Sequence, residues 1–175
     1  MVILITGASH TGKTLLAQRM LEKYRYPCFS MDHLKMGLIR SGNTCLTPED
    51  DGALVDYLWP IEREIIKTAI ENRQNLIMEG CYVPCGWRRD FSDPYLQQIR
   101  FICLAMTDAY IDKHFDDITG HASAIESRIA DAGCSVESLK ADNRRIIEGF
   151  LRAGERIVFI EEDYMKTMEL LLKAV

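Results

Sequence analysis

Gly7-Ala8-Ser9-His10-Thr11-Gly12-Lys13-Thr14 is the stretch of this chain whose residue types and spacing point to the most specific chemistry. It reads G-x-x-x-x-G-K-T, the Walker A spacing. Glycines at both ends let the backbone wrap an anion with its N–H groups turned inward. A helix starting near Gly12 adds unpaired N–H groups and the positive end of its dipole. Lys13 is spaced to reach the β- and γ-phosphates of a nucleotide, and the Thr14 hydroxyl to hold Mg²⁺. The expected ligands are ATP and Mg²⁺. Ala8, Ser9, His10 and Thr11 are the loop's interior. His10 tunes the loop, contacts substrate, or serves as acid or base.

Further along, three positions carry groups that could act on a second substrate. Asp32 follows the short apolar run Cys28-Phe29-Ser30-Met31. Ligands of open α/β sheets sit beyond the carboxyl ends of the strands, so Asp32 is a candidate catalytic base. It is also a good N-cap for the helix that follows, and both roles are compatible. Glu79 ends Leu76-Ile77-Met78 and precedes Gly80, which allows a ligand close to the backbone. A carboxylate there holds Mg²⁺, orients substrate, or accepts loop N–H bonds. Arg88 and Arg89 are candidates to fork onto a substrate phosphate or carboxylate; the alternative is a solvated helix face.

These positions require strands and helices to hold them. Residues 2–6 are continuously apolar and predict a central parallel strand, followed by a helix over 13–23. Further strands are expected at 28–31, 75–79, 99–104 and 156–160. A helix is expected over 33–39. Thr47-Pro48-Glu49-Asp50 reads as the capped, acidic start of a long helical stretch that Pro60 kinks or divides. Tyr57 and Trp59 belong to its packing face. Helical segments at 107–119, 122–132 and 136–149 form an insert before the last strand, with Arg128, Lys140, Arg144 and Arg145 on it. Such an insert suits a lid whose cations neutralise transferring charge, or a solvated face of ordinary ion pairs. A final helix over 163–173 should bury Met165, Met168, Leu171 and Leu172.

The chain has 175 residues, 47% of them apolar, which fits one globular domain. A net charge of −5 argues against general affinity for nucleic acid or membrane surfaces. Six cysteines show no C-x-x-C spacing and read as free thiols. No apolar run has the length of a membrane span, and no basic leader precedes the first strand. A soluble, cytoplasmic protein, monomer or homodimer, is expected.

With the phosphate loop, Asp32, Glu79-Gly80 and the helical insert in place, the chain resembles the P-loop small-molecule kinases along essentially its whole length. This group includes adenylate-kinase-like, shikimate-, gluconate- and 2-phosphoglycerate-kinase-like, chloramphenicol-phosphotransferase-like and zeta-toxin-like enzymes. The resemblance implies a three-layer α/β P-loop NTPase fold, with a five-stranded parallel sheet of order 2-3-1-4-5. It implies one kinase domain over 1–175, with a lid-bearing region at 107–149. Lys13, Asp32 and a lid arginine, Arg128, would be catalytic. Residues 7–14 and Arg144 would bind the nucleotide, Asp32, Glu79 and Arg88 the acceptor, and Thr14 and Glu79 the metal. The implied reaction is ATP-dependent phosphorylation of a small molecule's hydroxyl. The alternatives are a nucleoside monophosphate kinase, a kinase acting on a cell-wall sugar nucleotide, and a regulatory nucleotide-binding protein. Glu79-Gly80-Cys81-Tyr82-Val83-Pro84 lacks the arginine that follows proline in the adenylate type, which favours an acceptor other than a nucleotide.

Overall fold

The structure is a computed structural model and describes residues 1–120 and 134–174. Alternation along the first strand, β1 (Val2–Gly7), sets the architecture. Val2 and Leu4 point into one apolar layer and Ile3 and Ile5 into the other, and all four are fully buried. A strand covered on both faces needs helices on both sides, and parallel neighbours to take up its backbone groups. Those neighbours are β3 (Leu76–Glu79) and β4 (Ile99–Met106), with β2 (Cys28–Ser30) and β5 (Val158–Ile160) at the edges. The order is β2-β3-β1-β4-β5 and every pairing is parallel, as expected from the resemblance.

One layer is built by α1 (Lys13–Tyr24), α5 (Asp108–Gly120) and α7 (Tyr164–Lys173), through Leu16, Ala17, Met20, Tyr110, Ile111 and Met168. The other is built by α2 (Met31–Arg40), α3 (Asp51–Glu71), a 3-10 turn at Trp87–Asp90, and the short α4 (Asp93–Leu96). The amphipathic α6 (Val136–Arg152) spans both, with Leu139 in the first layer and Ile146 and Phe150 in the second. Between them Asn143 is fully buried. Its Oδ1 accepts from the Met106 N–H at 2.7 Å, and its Nδ2 donates to the Leu139 carbonyl at 2.9 Å.

Several boundaries differ from the sequence reading for local reasons. β2 ends at Ser30 and α2 takes Met31, so Asp32 lies in the first turn of a helix whose N-cap is Ser30. Thr47 does not start α3. The Asp50 carboxylate accepts from the Thr47 N–H and hydroxyl, closing a turn, and the helix begins at Asp51. Pro60 neither divides nor ends α3, which runs unbroken to Glu71. Proline sits on the exposed side there, where water can satisfy the carbonyl it leaves without a partner. On α7, Met168 is buried, but Met165 is exposed and faces the Arg19 guanidinium. Among the described residues, no helix is long and apolar enough to cross a membrane.

Candidate active site

Strand register brings the predicted acids to one level. Ile5, Ser30 and Glu79 are lateral neighbours in the sheet, so the residues that follow them in β1, β2 and β3 open onto one crevice. They are the phosphate loop, Asp32 and Gly80-Cys81-Tyr82.

The phosphate loop is folded tightly on itself. The Ala8 N–H donates to the Leu104 carbonyl at 3.1 Å, and the Ala8 carbonyl accepts from both Thr11 Oγ1 and Lys13 Nζ at 2.8 Å. Gly12 adopts φ +75° as the N-cap of α1, and a methyl there would collide with the Tyr164 phenol. Gly7, at φ +141°, lies so close to β4 that a methyl would meet the Leu104 carbonyl. Both glycines are therefore dictated by backbone geometry and by close approach. His10 also has positive φ, +61°, and its Nε2 lies 3.9 Å from Cys134 Sγ. Ser9 donates its N–H to Asp142 Oδ2 of α6 at 2.8 Å, while Asp142 Oδ1 pairs with Arg145 at 2.6 Å.

Thr14 Oγ1 donates to Glu79 Oε2 at 3.2 Å, so the two residues expected to bind metal are in contact. The Ser30 hydroxyl, buried on the strand next to Glu79 in register, has no hydrogen-bond partner among the described residues. Hard oxygen donors converging at a strand end fit Mg²⁺, which takes few protein ligands and keeps waters and phosphates as the others.

Asp32 pairs through Oδ1 with Lys35 Nζ at 2.6 Å, and Lys35 also donates to the Tyr82 hydroxyl at 2.8 Å. Burial, helped by the charges of Cys81, Asp32 and Asp51, raises the pKa of the Tyr82 phenol, so Tyr82 stays neutral. The sequence reading passed over this triad. It also passed over Glu62 on the buried face of α3, whose side chain is fully inaccessible. Burial first, and the Asp32 charge second, push the Glu62 carboxyl up to about 8. The available signal was a carboxylate at i+4 spacing between Leu58 and Ile66, on the stripe the helix buries.

The predicted arginines do not converge here. Arg88 is committed to Glu155 by two hydrogen bonds and lies over the Trp87 ring. Arg144 is exposed and paired with Asp108, and Lys140 with Asp112, so these pairs join α6 to α5. Arg128 lies outside the described residues. A separate groove of about 720 Å³ opens at the opposite ends of β2 and β3, between Tyr26, Pro27, Ile65, Asn75 and Leu76. It brings none of the predicted groups together.

No protein-family model matches the chain, and no curated protein does. Solved structures do match over nearly its full length. A shikimate kinase from Bacteroides thetaiotaomicron is 16% identical, with 99% of this chain and 97% of that one covered and a TM-score of 0.53. A gluconokinase from Sinorhizobium meliloti 1021 is 13% identical, with 99% and 94% covered and a TM-score of 0.51. A deoxyadenosine kinase from M. mycoides is 16% identical, with 99% and 98% covered and a TM-score of 0.54. With its sheet order and its phosphate loop after β1, the chain has the three-layer fold that these small-molecule kinases share.

Proposed function

We propose that this protein is an ATP-dependent phosphotransferase that moves the γ-phosphoryl group of ATP to a hydroxyl of a small molecule. The observation that carries the reading is the contact between Thr14 and Glu79 on one side of the phosphate loop, with Asp32 in the first turn of the helix that follows β2, the next strand but one. In this reading Thr14 and Glu79 would hold the metal and Asp32 would act as base, all beyond the carboxyl ends of β1, β2 and β3.

In this reading the loop N–H groups and Lys13 hold the phosphates. Lys13 exchanges the Ala8 carbonyl for the β- and γ-oxygens and stabilises the charge that develops there. Thr14 and Glu79 hold Mg²⁺, which neutralises phosphate charge when bound. Asp32 orients the acceptor hydroxyl, and Lys35 fixes the rotamer of Asp32 through Oδ1. As the acceptor oxygen bonds to phosphorus, the bond to the β–γ bridging oxygen breaks. Its electron pair leaves with ADP, and the hydroxyl proton passes to the Asp32 carboxylate. Residues 1–175 act as one domain. Arg145 on α6 is joined through Asp142 to the Ser9 N–H and so stands beside the loop that holds the phosphates. Six free cysteines fit work in a reducing cytoplasm.

The test is ADP release across hydroxyl-bearing metabolites and nucleoside monophosphates, for the wild type and Lys13→Met. The expected result is acceptor-stimulated release that falls by roughly 10²-fold or more in the variant. Nucleotide binding without stimulation by any acceptor would overturn the reading in favour of a regulatory protein. Stimulation confined to nucleoside monophosphates would make it a nucleotide kinase.

A further inference from the structure

Glu62 is the one charged side chain on the buried stripe of α3, and it is where that stripe stops making sense as packing. Leu54, Leu58, Trp59, Ile66, Ala69 and Ile70 occupy the rest of the face. Neither Glu62 oxygen has a hydrogen-bond partner among the described residues, although the side chain is wholly buried. A buried carboxyl without partners costs free energy that a leucine at the same place would not, unless a ligand or an ordered water supplies the bonds. We propose that Glu62 is a further acceptor-binding residue, whose carboxyl hydrogen-bonds a second hydroxyl of an uncharged polyhydroxy acceptor while Asp32 holds the first.

The location supports this. Glu62 lies close enough to Asp32 for the two charges to interact, and α2, which carries Asp32, packs on α3. α2 packs there through Met31, which is fully buried, and through the partly buried Leu34, Leu38 and Ile39. Glu62 has no exposed surface, so in this proposal an acceptor reaches it only when α2 moves away from α3. With its carboxyl pushed up to about 8, Glu62 is mostly neutral at pH 7 and offers one O–H donor and one carbonyl acceptor. Asp32 offers acceptors alone when ionised. The two together match the donors and acceptors of neighbouring hydroxyls.

Charge argues against an anionic acceptor. Lys35 is balanced by Asp32, Arg63 by Glu64 and Asp90, and Arg88 by Glu155. From α3, Asp51 adds a further negative charge that acts on Tyr82 and Cys81. A phosphate or carboxylate on the acceptor would find Lys35, Arg63 and Arg88 already paired with carboxylates.

This inference rests on the kinase reading, and the experiment separates the two. MgATP binding by calorimetry is measured first. Acceptor-stimulated ADP release is then measured with ribitol, mannitol, myo-inositol and glycerol, and with glucosamine, gluconate and AMP as charged counterparts. At least one uncharged polyol should raise release over the acceptor-free rate. Glu62→Met should raise its KM by about tenfold or more at an unchanged KM for MgATP, since a buried bond to a hydroxyl is lost. Glu62→Gln, which keeps a neutral donor and acceptor, should restore that KM to within about threefold. Glu62→Met should also melt no lower than the wild type, which separates the effect from misfolding. MgATP binding with stimulation only by glucosamine, gluconate or AMP, or by nothing, overturns the inference and leaves the nucleotide site standing. So does an unchanged polyol KM in Glu62→Met. Absence of MgATP binding overturns the kinase reading and the inference with it.

Discussion

A carboxyl held neutral inside a protein makes stability depend on pH, and Glu62 is that group here. Its ordinary value of 4.5 applies to the unfolded chain, and burial in the native state raises it to about 8. Between these values the folded protein binds a proton that the unfolded chain has released. The resulting stability is fully present below about pH 4.5 and is lost as pH rises through about 8. Urea denaturation of the wild type at pH 5.5 and pH 8 should therefore show a loss of a few kcal/mol attributable to this site. In Glu62→Gln that part of the slope should vanish; equal slopes in the two proteins would contradict the placement of the group. The residues of the phosphate loop were legible in the sequence because their chemistry is local: eight consecutive positions carry the pattern and the glycines. Glu62 was not, because the same spacing that buries Leu58 and Ile66 buries it. Only the packing of the rest of the chain around α3 shows that none of the usual bonds reaches it among the described residues.

Helix α6 does two jobs. Its inner stripe covers the sheet, and two neighbouring polar residues tie it to the site: Asn143 to the end of β4 and Asp142 to the phosphate loop. Asn143→Ala leaves the Met106 N–H buried without an acceptor. It should lower unfolding stability by about 2 kcal/mol in urea titration, the cost of an unsatisfied buried donor. A change within a few tenths of a kcal/mol would mean that water replaces the side chain. The sequence predicted this helix and its start at Val136, but extended it only to 149, three residues short of its end at Arg152. Its cations were read as candidates for the phosphates. In the structure Lys140 and Arg144 instead bridge to α5, exposed pairs that add little stability. The strands were legible from their apolar runs, since central parallel strands carry no competing polar pattern. The start of α3 was not, because Thr47 and Asp50 bond to each other in a turn that looks, residue by residue, like a helix cap.

At the scale of the molecule, the parallel order β2-β3-β1-β4-β5 brings the segments that follow β1, β2 and β3 to one crevice. It sets the loop after β1 beside the segments that follow β2 and β3, where the proposed reading puts donor and acceptor. Strand-end position alone placed Asp32 and Glu79 near the phosphate loop: Glu79 does end β3 against Thr14, while Asp32 lies in the first turn of α2. The contacts that close the site from afar had no local signal: Tyr164 against Gly12, Asp142 on the Ser9 N–H, Lys35 shared between Asp32 and Tyr82. The central claim is that the two halves meet, with phosphoryl transfer assisted by Asp32. The most direct measurement is phosphorus NMR of the products formed from MgATP and a stimulating acceptor, with the wild type and Asp32→Asn compared alongside their MgATP affinities. The wild type should form a phosphate ester on the acceptor. Asp32→Asn should bind MgATP within about threefold of the wild type yet lose about 10²-fold or more of the transfer rate, the usual share of a general base. Inorganic phosphate as the sole product of the wild type, or an unchanged rate of ester formation in Asp32→Asn, would contradict the account.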